Sequence, residues 1–407
     1  ILQSARVPRK LDSLGVIEFF TFQRLLGTKT YYQDVKVMLP AAILKFGNGK
    51  ISISRYWEMK YREDERKPEA YYVDALVDAL KKAVNRRTNG NHRYGILLSG
   101  GLDSRTVLAA SECPMTAFTI ADFENREVRI AKEIANVKGC RHRFLKRELN
   151  HYPDLVEEAV ELGDGMYSFQ HGHFIGFFNR IRNECDVLFH GYAFDTMFKG
   201  LYLPNRKLHI LGKTVSLPIL DVLSEKTLLW AIFNKLAYCL WIEEPSSLFA
   251  EDFDRDFHGT LEKSVQSILS NRHNHEANCY NKYDYFVLNF PFKLLAYLNN
   301  ICMRHYIEER TVAFDNDLFN LYLETPPELR FNAKVYKKAL KKLNLKLAGI
   351  RDANTGISPM VPKSIEWGMS MGQKIFNNIG LRKLPHPAYT QGSWPNMAEL
   401  VRHNGKL

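Results

Sequence analysis

The sequence predicts an α/β protein organised on a parallel sheet, with a mainly helical C-terminal part and a short N-terminal β segment. Three observations predict it. From Tyr94 onward, short apolar runs alternate with stretches of helical periodicity, the order that builds parallel strands joined by right-handed crossovers. The 407 residues are 45% hydrophobic and 12% aromatic, enough apolar surface for a sizeable core and too much for a disordered chain. From Gly200 to about Glu309, aromatic residues and helix-like spacing dominate and no turn-punctuated strands are legible.

Taken in order, the first sixty residues hold the apolar runs Val35–Leu39, Ala41–Phe46 and Ile51–Trp57. The last two flank Gly47-Asn48-Gly49 and read as a β-hairpin. The polar stretch Tyr61–Pro68 reads as a linker. From Glu69 to about Arg87, Tyr72, Val73, Leu76, Val77, Leu80 and Val84 recur at three- and four-residue spacing, which predicts a helix with one buried stripe. Gly95–Leu98 is a strand, Gly100-Gly101 a tight turn, and Thr106–Ala110 the resumption of a helix. Met115–Ile120 is a second strand, followed by a helix that places Ile130, Ala131, Ile134 and Val137 on one face. Two further helices, about Tyr152–Leu162 and Phe174–Arg182, lead to the buried strand Val187–Phe189. These shifts divide the chain into 1–60, 61–365 and 366–407, the last expected to be loop-rich because of Pro385, Pro387, Gly392 and Pro395.

Composition narrows the function classes. The 56 Lys and Arg residues exceed the 45 Asp and Glu residues, a net charge of +11 that favours anionic ligands without naming one. The richest apolar stretch, Val287–Met303, is broken by Pro291 and Lys293, which argues against membrane insertion. Cys113, Cys140, Cys185, Cys239, Cys279 and Cys302 form no CxxC pair and no zinc spacing, as expected of reduced thiols in a cytoplasmic protein. No signal peptide is visible, and the start at Ile1 suggests a processed chain or a fragment. His171 and His173 read as ordinary polar residues.

The strongest chemical signal is Ser99-Gly100-Gly101-Leu102-Asp103-Ser104, directly after Leu98 at the end of a strand. Backbone N–H groups at a helix N-terminus favour phosphate, and the glycines let the backbone approach it. Ser99 and Ser104 add hydroxyl donors, whereas Asp103 would repel phosphate unless Mg²⁺ bridged the two. The plainer alternative is a strand-to-helix turn with Asp103 and Ser104 as caps. The pattern is neither a Walker A loop nor a dinucleotide fingerprint.

This loop resembles that of the ATP pyrophosphatases, and further motifs narrow the likeness. The run His190-Gly191-Tyr192-Ala193-Phe194-Asp195-Thr196-Met197-Phe198-Lys199-Gly200 is similar to the second signature of the asparagine synthetase family, Gly-x-Gly-x-Asp-Glu-x-x-x-Gly. Glu308–Asp315 resembles that family's Glu-x-Arg-x-Pro-Phe-x-Asp, and Lys337–Lys341 its Lys-x-x-x-Arg helix. The opening segment, down to Tyr56-Trp57, resembles the end of the family's N-terminal glutaminase domain, so the likeness runs in order over about residues 11–360. It implies an ATP-pyrophosphatase fold over 61–365, with 200–309 shaping the acceptor pocket and 1–60 the tail of a glutaminase-like domain. It further implies an ATP- and Mg²⁺-dependent ligase that adenylates a carboxylate, releases pyrophosphate and passes the acyl group to an amine.

Carried over by motif, Asp103 and Asp195 would be the magnesium ligands. Leu98, Ser99, Gly100, Gly101, Ser104 and Gly191 would line the phosphates, and Phe118 and Thr119 would lie beside adenine. Lys337 would hold phosphate charge during adenylation, although it also belongs to a basic helix face with Lys334, Lys338, Lys341 and Lys342. Tyr192 replaces the Glu of asparagine synthetases and is similar to the Tyr of β-lactam synthetases, which use an amine other than ammonia. With a reference pKa of about 10, it needs a partner to exchange a proton, and Glu308 is the expected one.

Three departures bear on activity. Thr196 replaces the acidic neighbour of the metal Asp. Where the family has Lys-x-Gly-Phe, the chain reads Asn354-Thr355-Gly356-Ile357, with Arg351 the nearest substitute cation. The first cysteine is Cys113, so the N-terminal Cys nucleophile of a glutaminase is missing, which implies either an upstream domain or a separate amine source. Two alternatives share the loop: an RNA-modifying pyrophosphatase, which the basic charge suits but no RNA-binding module supports, and a nucleotide-binding homologue without catalysis.

Overall fold

The computed structural model describes the chain except residues 23, 65, 166–168, 170–171, 211–212, 237–256, 271–276, 379–391, 395, 397–399, 401 and 403–407. His171 and Cys239 lie outside the described residues. The described cysteines, Cys113, Cys140, Cys185, Cys279 and Cys302, are all free thiols.

At the N-terminus, a helix the sequence reading did not place, Ser13–Phe22, buries Ile17 and Phe22 in the main core. It packs on the helix Phe257–Leu269, where its buried Glu18 accepts the Leu26 N–H at 2.7 Å and pairs with Lys29 at 2.8 Å. The expected hairpin follows as β1 (Ala42–Gly47) and β2 (Lys50–Arg55), closed by Asn48 and Gly49 at φ 51° and 72°, the left-handed pair a two-residue turn requires. Its cross-strand pairs Leu44↔Ile53 and Phe46↔Ile51 put four apolar side chains on one face, which stays exposed. Val35–Leu39, the other apolar run, is not a strand.

The centre is a parallel sheet of five strands, β3 (Tyr94–Leu97), β4 (Met115–Ala121), β5 (Arg141–Lys146), β6 (Val187–His190) and β9 (Glu308–Thr311), in the order β5-β4-β3-β6-β9. β3 and β6 are buried throughout, as continuous apolar runs between helical layers should be. The helix Glu69–Arg87 covers one face with the predicted stripe, and its fully buried Leu76, Leu80 and Val84 each contribute about 1.5–3 kcal/mol on burial. The crossover helix Arg126–Lys138 starts where Asn125 accepts the Val128 N–H and stops at Gly139, φ 77°.

The order of connections locates a crevice. From β3 the chain builds outward through β4 to β5, then returns to lay β6 on the opposite side of β3 and continues to β9. The winding therefore reverses between β3 and β6, and in open α/β sheets ligands bind outside the strand C-termini at such a switch point.

Two expectations need correction. Residues 200–309 are not free of strands: β7 (Asn205–Ile210) and β8 (Lys213–Leu220) form an antiparallel hairpin before the helices Glu225–Leu236, Phe257–Leu269, Cys279–Val287 and Lys293–Tyr306. Pro218 and a register shift between Asn205 and Lys207 interrupt the alternation that would have marked it. The tail is not loop from residue 366, because a helix runs Lys363–Asn378. Among the described residues, no helix is long and apolar enough to cross a membrane.

Candidate functional site

The crevice is walled on one side by the loop after β3. Leu98 donates its N–H to Phe118 at 2.8 Å and Thr119 Oγ1 donates to the Leu98 carbonyl at 2.7 Å, which ties the loop's entry to β4. The Ser104 hydroxyl accepts the Ser99 N–H at 3.0 Å, and Ser99 Oγ accepts the Gly101 N–H at 3.3 Å, so the loop closes on itself. Glu127 caps the Gly100 N–H, and its burial raises its carboxyl above the usual range. Asp103 then opens the helix Asp103–Ala110.

Beneath the loop lies Arg105, fully buried and unsuspected from sequence. It donates to the carbonyls of Gly100, Leu347, Ile350 and Arg351 at 2.7–3.2 Å. Burial pulls its pKa down to about 10, with Asp352 and Glu133 opposing, so the guanidinium stays charged at neutral pH. Arg105 thereby binds the loop to the segment before Asn354, where Asp352 Oδ1 accepts the Asn354 N–H at 2.8 Å.

The other wall follows β6. A Cβ at Gly191 would stand 2.3 Å from the Ser104 N and 2.6 Å from the Asp103 carbonyl carbon, so only glycine permits the two loops to touch. Ala193, where the family pattern has glycine, sits at φ 79° in the left-handed region and stores strain beside the site. The short helix Phe194–Met197 then presents Asp195, whose Oδ1 accepts the Thr196 N–H at 3.0 Å.

Between the walls, Lys199 Nζ donates to Asp103 Oδ2 at 2.6 Å, each side chain being one-fifth exposed (20%). Burial pushes the Asp103 carboxyl up to about 6 against the pull of Lys199, while Asp195 and Asp352 push the same way as burial. One ammonium thus faces three carboxylates. Among the described residues, neither the buried Asp103 Oδ1 nor Thr196 Oγ1 has a well-formed hydrogen bond, and the buried Tyr336 hydroxyl is the group that the Asp103 carboxyl acts on most directly from the helix Lys334–Leu343. A carboxylate oxygen so placed in a field of excess negative charge fits a hard divalent cation. Among the described residues no three His, Cys, Asp or Glu side chains are grouped to hold a metal by themselves. Two carboxylates match Mg²⁺, which takes one or two from protein and the rest from phosphate and water.

Tyr192 sits beside this pair, its ring 4.5 Å from His190 and 6.5 Å from Phe174. Burial, reinforced by Asp195 and Glu309, pushes its hydroxyl far above the usual tyrosine value, so it stays protonated. The His190 Nδ1 accepts the Tyr192 N–H at 3.2 Å, which leaves the ring proton on Nε2, donated to Glu309 Oε1 at 2.6 Å. Burial alone would raise Glu309, but His190, Thr311 Oγ1 and Arg304 Nε together hold it down to about 2.

This corrects the expected partner of Tyr192. Glu308 is 53% exposed and pairs with Arg310, whereas the Glu309 side chain is fully buried. Neighbours on a strand point to opposite faces, and the pairing of Leu188 with Glu309 turns the latter toward Tyr192. Lys337 is likewise engaged elsewhere: its Nζ lies 3.3 Å from Glu366 Oε2, a carboxylate also held by Lys363 at 2.5 Å. Arg351 and Asn354 are both exposed.

The end of β4, where the sequence reading expects adenine, holds a second surprise. The Phe118 ring and Thr119 are buried, so these two residues offer only backbone near the end of β4. Gly392–Trp394 of the tail crosses this end: the Asp122 N–H donates to the Gly392 carbonyl at 2.8 Å, and Arg147 donates to Gly392 and Ser393 carbonyls at 3.3 and 3.2 Å. Trp394 stacks edgewise on His173, 4.8 Å between ring centres, and the Tyr152 hydroxyl lies 2.6 Å from His173 Nδ1.

A model of the family described as asparagine synthase matches residues 75–347, about two-thirds of the chain. The chain belongs to the asparagine synthase family. No curated protein matches it. The matched region of this asparagine synthase-family chain holds all five strands of the sheet and both walls of the crevice, while the β1–β2 hairpin and the Asn354 loop fall outside it. Members of the asparagine synthase family are ATP-dependent carbon–nitrogen ligases.

Proposed function

We propose that this chain is an ATP- and Mg²⁺-dependent ligase that adenylates a small-molecule carboxylate and then joins the acyl group to an amine. The observation that carries this is the contact at the switch point, where Gly191 lets the Asp195 loop close on the Asp103 loop. Asp103 and Asp195 would hold the metal, which supplies charge neutralisation for the phosphates when bound. The loop Ser99–Ser104 binds the phosphates and the backbone at Phe118 and Thr119 the adenine. A substrate carboxylate oxygen bonds to the α-phosphorus and pyrophosphate leaves; the amine nitrogen then bonds to the acyl carbon, AMP leaves, and the amine gives up a proton. Holding acyl-adenylate and amine in one crevice makes the second step effectively intramolecular.

Tyr192 favours an amine other than free ammonia, and Glu309, ionised and buried next to it, attracts that amine in its protonated form, which releases one proton to solvent before it attacks and a second as the amide forms. The source of the amine is a separate substrate or an upstream glutaminase-like domain. Free thiols at the described cysteines suit a cytoplasmic protein. Neither a membrane nor a nucleic acid is needed as partner.

ATP–pyrophosphate exchange in the presence of a panel of carboxylates tests the reading. Wild type should exchange and Asp103→Ala should lose activity at least a hundredfold, the scale of removing a fixed electrostatic group. Exchange surviving in Asp103→Ala would sink the assignment. ATP binding by calorimetry without exchange would mark a nucleotide-binding homologue instead.

A further inference from the structure

We propose that Lys199 is the residue that grips the pyrophosphate end of ATP in this chain, whose Asn354 loop carries no lysine. The inference rests on the adenylating reading above and names one more residue for it.

Position is the first argument. The Lys199 ammonium stands in the crevice itself, 2.6 Å from Asp103 Oδ2, with Asp195 and Asp352 also acting on its charge. At 20% exposure it is sheltered enough to act in a weak dielectric and open enough for a phosphate to reach. An ammonium has three donors, so it can keep Asp103 and still donate to a phosphate oxygen.

Rigidity is the second. The Lys199 N–H donates to the Phe194 carbonyl at 3.1 Å, and its own carbonyl accepts the Ala333 N–H at 3.2 Å. Gly200, at φ 55°, then turns the chain against Phe331, whose Cα lies 3.0 Å from where a Cβ would be. A cation on so fixed a stem is preorganised for charge that develops on a leaving pyrophosphate.

The third argument is the state of the other basic groups. Lys337 is engaged with Glu366, the two terminal nitrogens of Arg105 donate to four backbone carbonyls beneath the loop, and Arg351 is exposed. Of these four, Lys199 alone touches a carboxylate of the crevice.

The test is calorimetric titration of the full chain with pyrophosphate and Mg²⁺, and separately with AMP, for wild type, Lys199→Gln and Lys199→Arg. Losing one charge-assisted contact should weaken pyrophosphate about ten- to a hundredfold in Lys199→Gln, with AMP unchanged and Lys199→Arg in between. Pyrophosphate affinity within twofold of wild type, or equal losses for AMP and pyrophosphate, would overturn the role of Lys199. If Lys199→Gln does not fold, Asp103→Asn/Lys199→Gln removes the pair together, and pyrophosphate should bind it at least tenfold more weakly than Asp103→Asn; equal binding overturns the role. Wild type that binds neither ligand would instead refute the adenylating reading.

Discussion

Replacing Gly191 by alanine adds one methyl group at the point where the two loops of the crevice meet. Its Cβ would stand 2.3 Å from the Ser104 N and 2.8 Å from the Asp103 Cβ, and ordinary contact begins at 3.4 Å, so the walls must part by about 1.1 Å. The obstruction is backbone at the start of a buried helix and no flexible side chain can swing aside. Overpacking of this kind costs about 1–3 kcal/mol, read as a lower urea midpoint with an unchanged slope. The functional effect should be at the upper end of that range, because a displacement of about 1 Å at a reacting centre slows the chemistry on the order of a hundredfold, about 2.7 kcal/mol. ATP–pyrophosphate exchange measures that loss. Gly368→Ala is the control: it lies exposed in the helix Lys363–Asn378 with nothing within 4 Å of the added methyl, and it should stabilise slightly. An unchanged midpoint together with exchange within twofold of wild type would show that the loops do not approach as described.

Two further predictions concern buried charge. Arg330 is fully buried, donating to Asp284 Oδ2 at 2.5 Å and Asn281 Oδ1 at 2.8 Å, with its guanidinium 4.8 Å from the Tyr322 ring centre. Arg330→Met should cost about 3–5 kcal/mol in urea unfolding because it removes the buried cation that balances the Asp284 charge, and Arg330→Met/Asp284→Leu should recover much of it; a single-variant loss under about 1 kcal/mol would refute this. Glu309 is held at about 2 when folded against an ordinary 4.5, so its contribution is complete above pH 4.5 and fades as pH falls toward 2. By linkage that amounts to about 3 kcal/mol. Glu309→Gln should flatten the stability profile across that window; a profile identical to wild type would show that the site carboxylate is misassigned.

How far each feature was legible follows from how locally it is encoded. β3, β4 and β6 announce themselves because strands buried on both faces are continuous apolar runs between turns. β5, Arg-His-Arg-Phe-Leu-Lys, and β9, Glu-Glu-Arg-Thr, are the two edges of the same sheet, and edge strands carry the charges that disguise them. The Ser99–Ser104 turn is six consecutive residues, and its place between a strand and a helix could be read whole. Arg105 could not: one residue after Ser104, it looks like a surface charge, and only its partners around residue 350 make it a buried strut.

The sequence by itself determined the family, the parallel sheet and the two loops that meet in the crevice, because each is set by residues within about ten positions of one another. It could not show that Glu309 rather than Glu308 turns toward Tyr192, or that Lys199 meets Asp103 while Lys337 pairs with Glu366. Spacing along a strand or helix says which residues share a face, but which face meets the site depends on how β9 registers against β6 and where Lys334–Leu343 packs. Those are contacts between segments a hundred or more residues apart, and only the tertiary structure sets them.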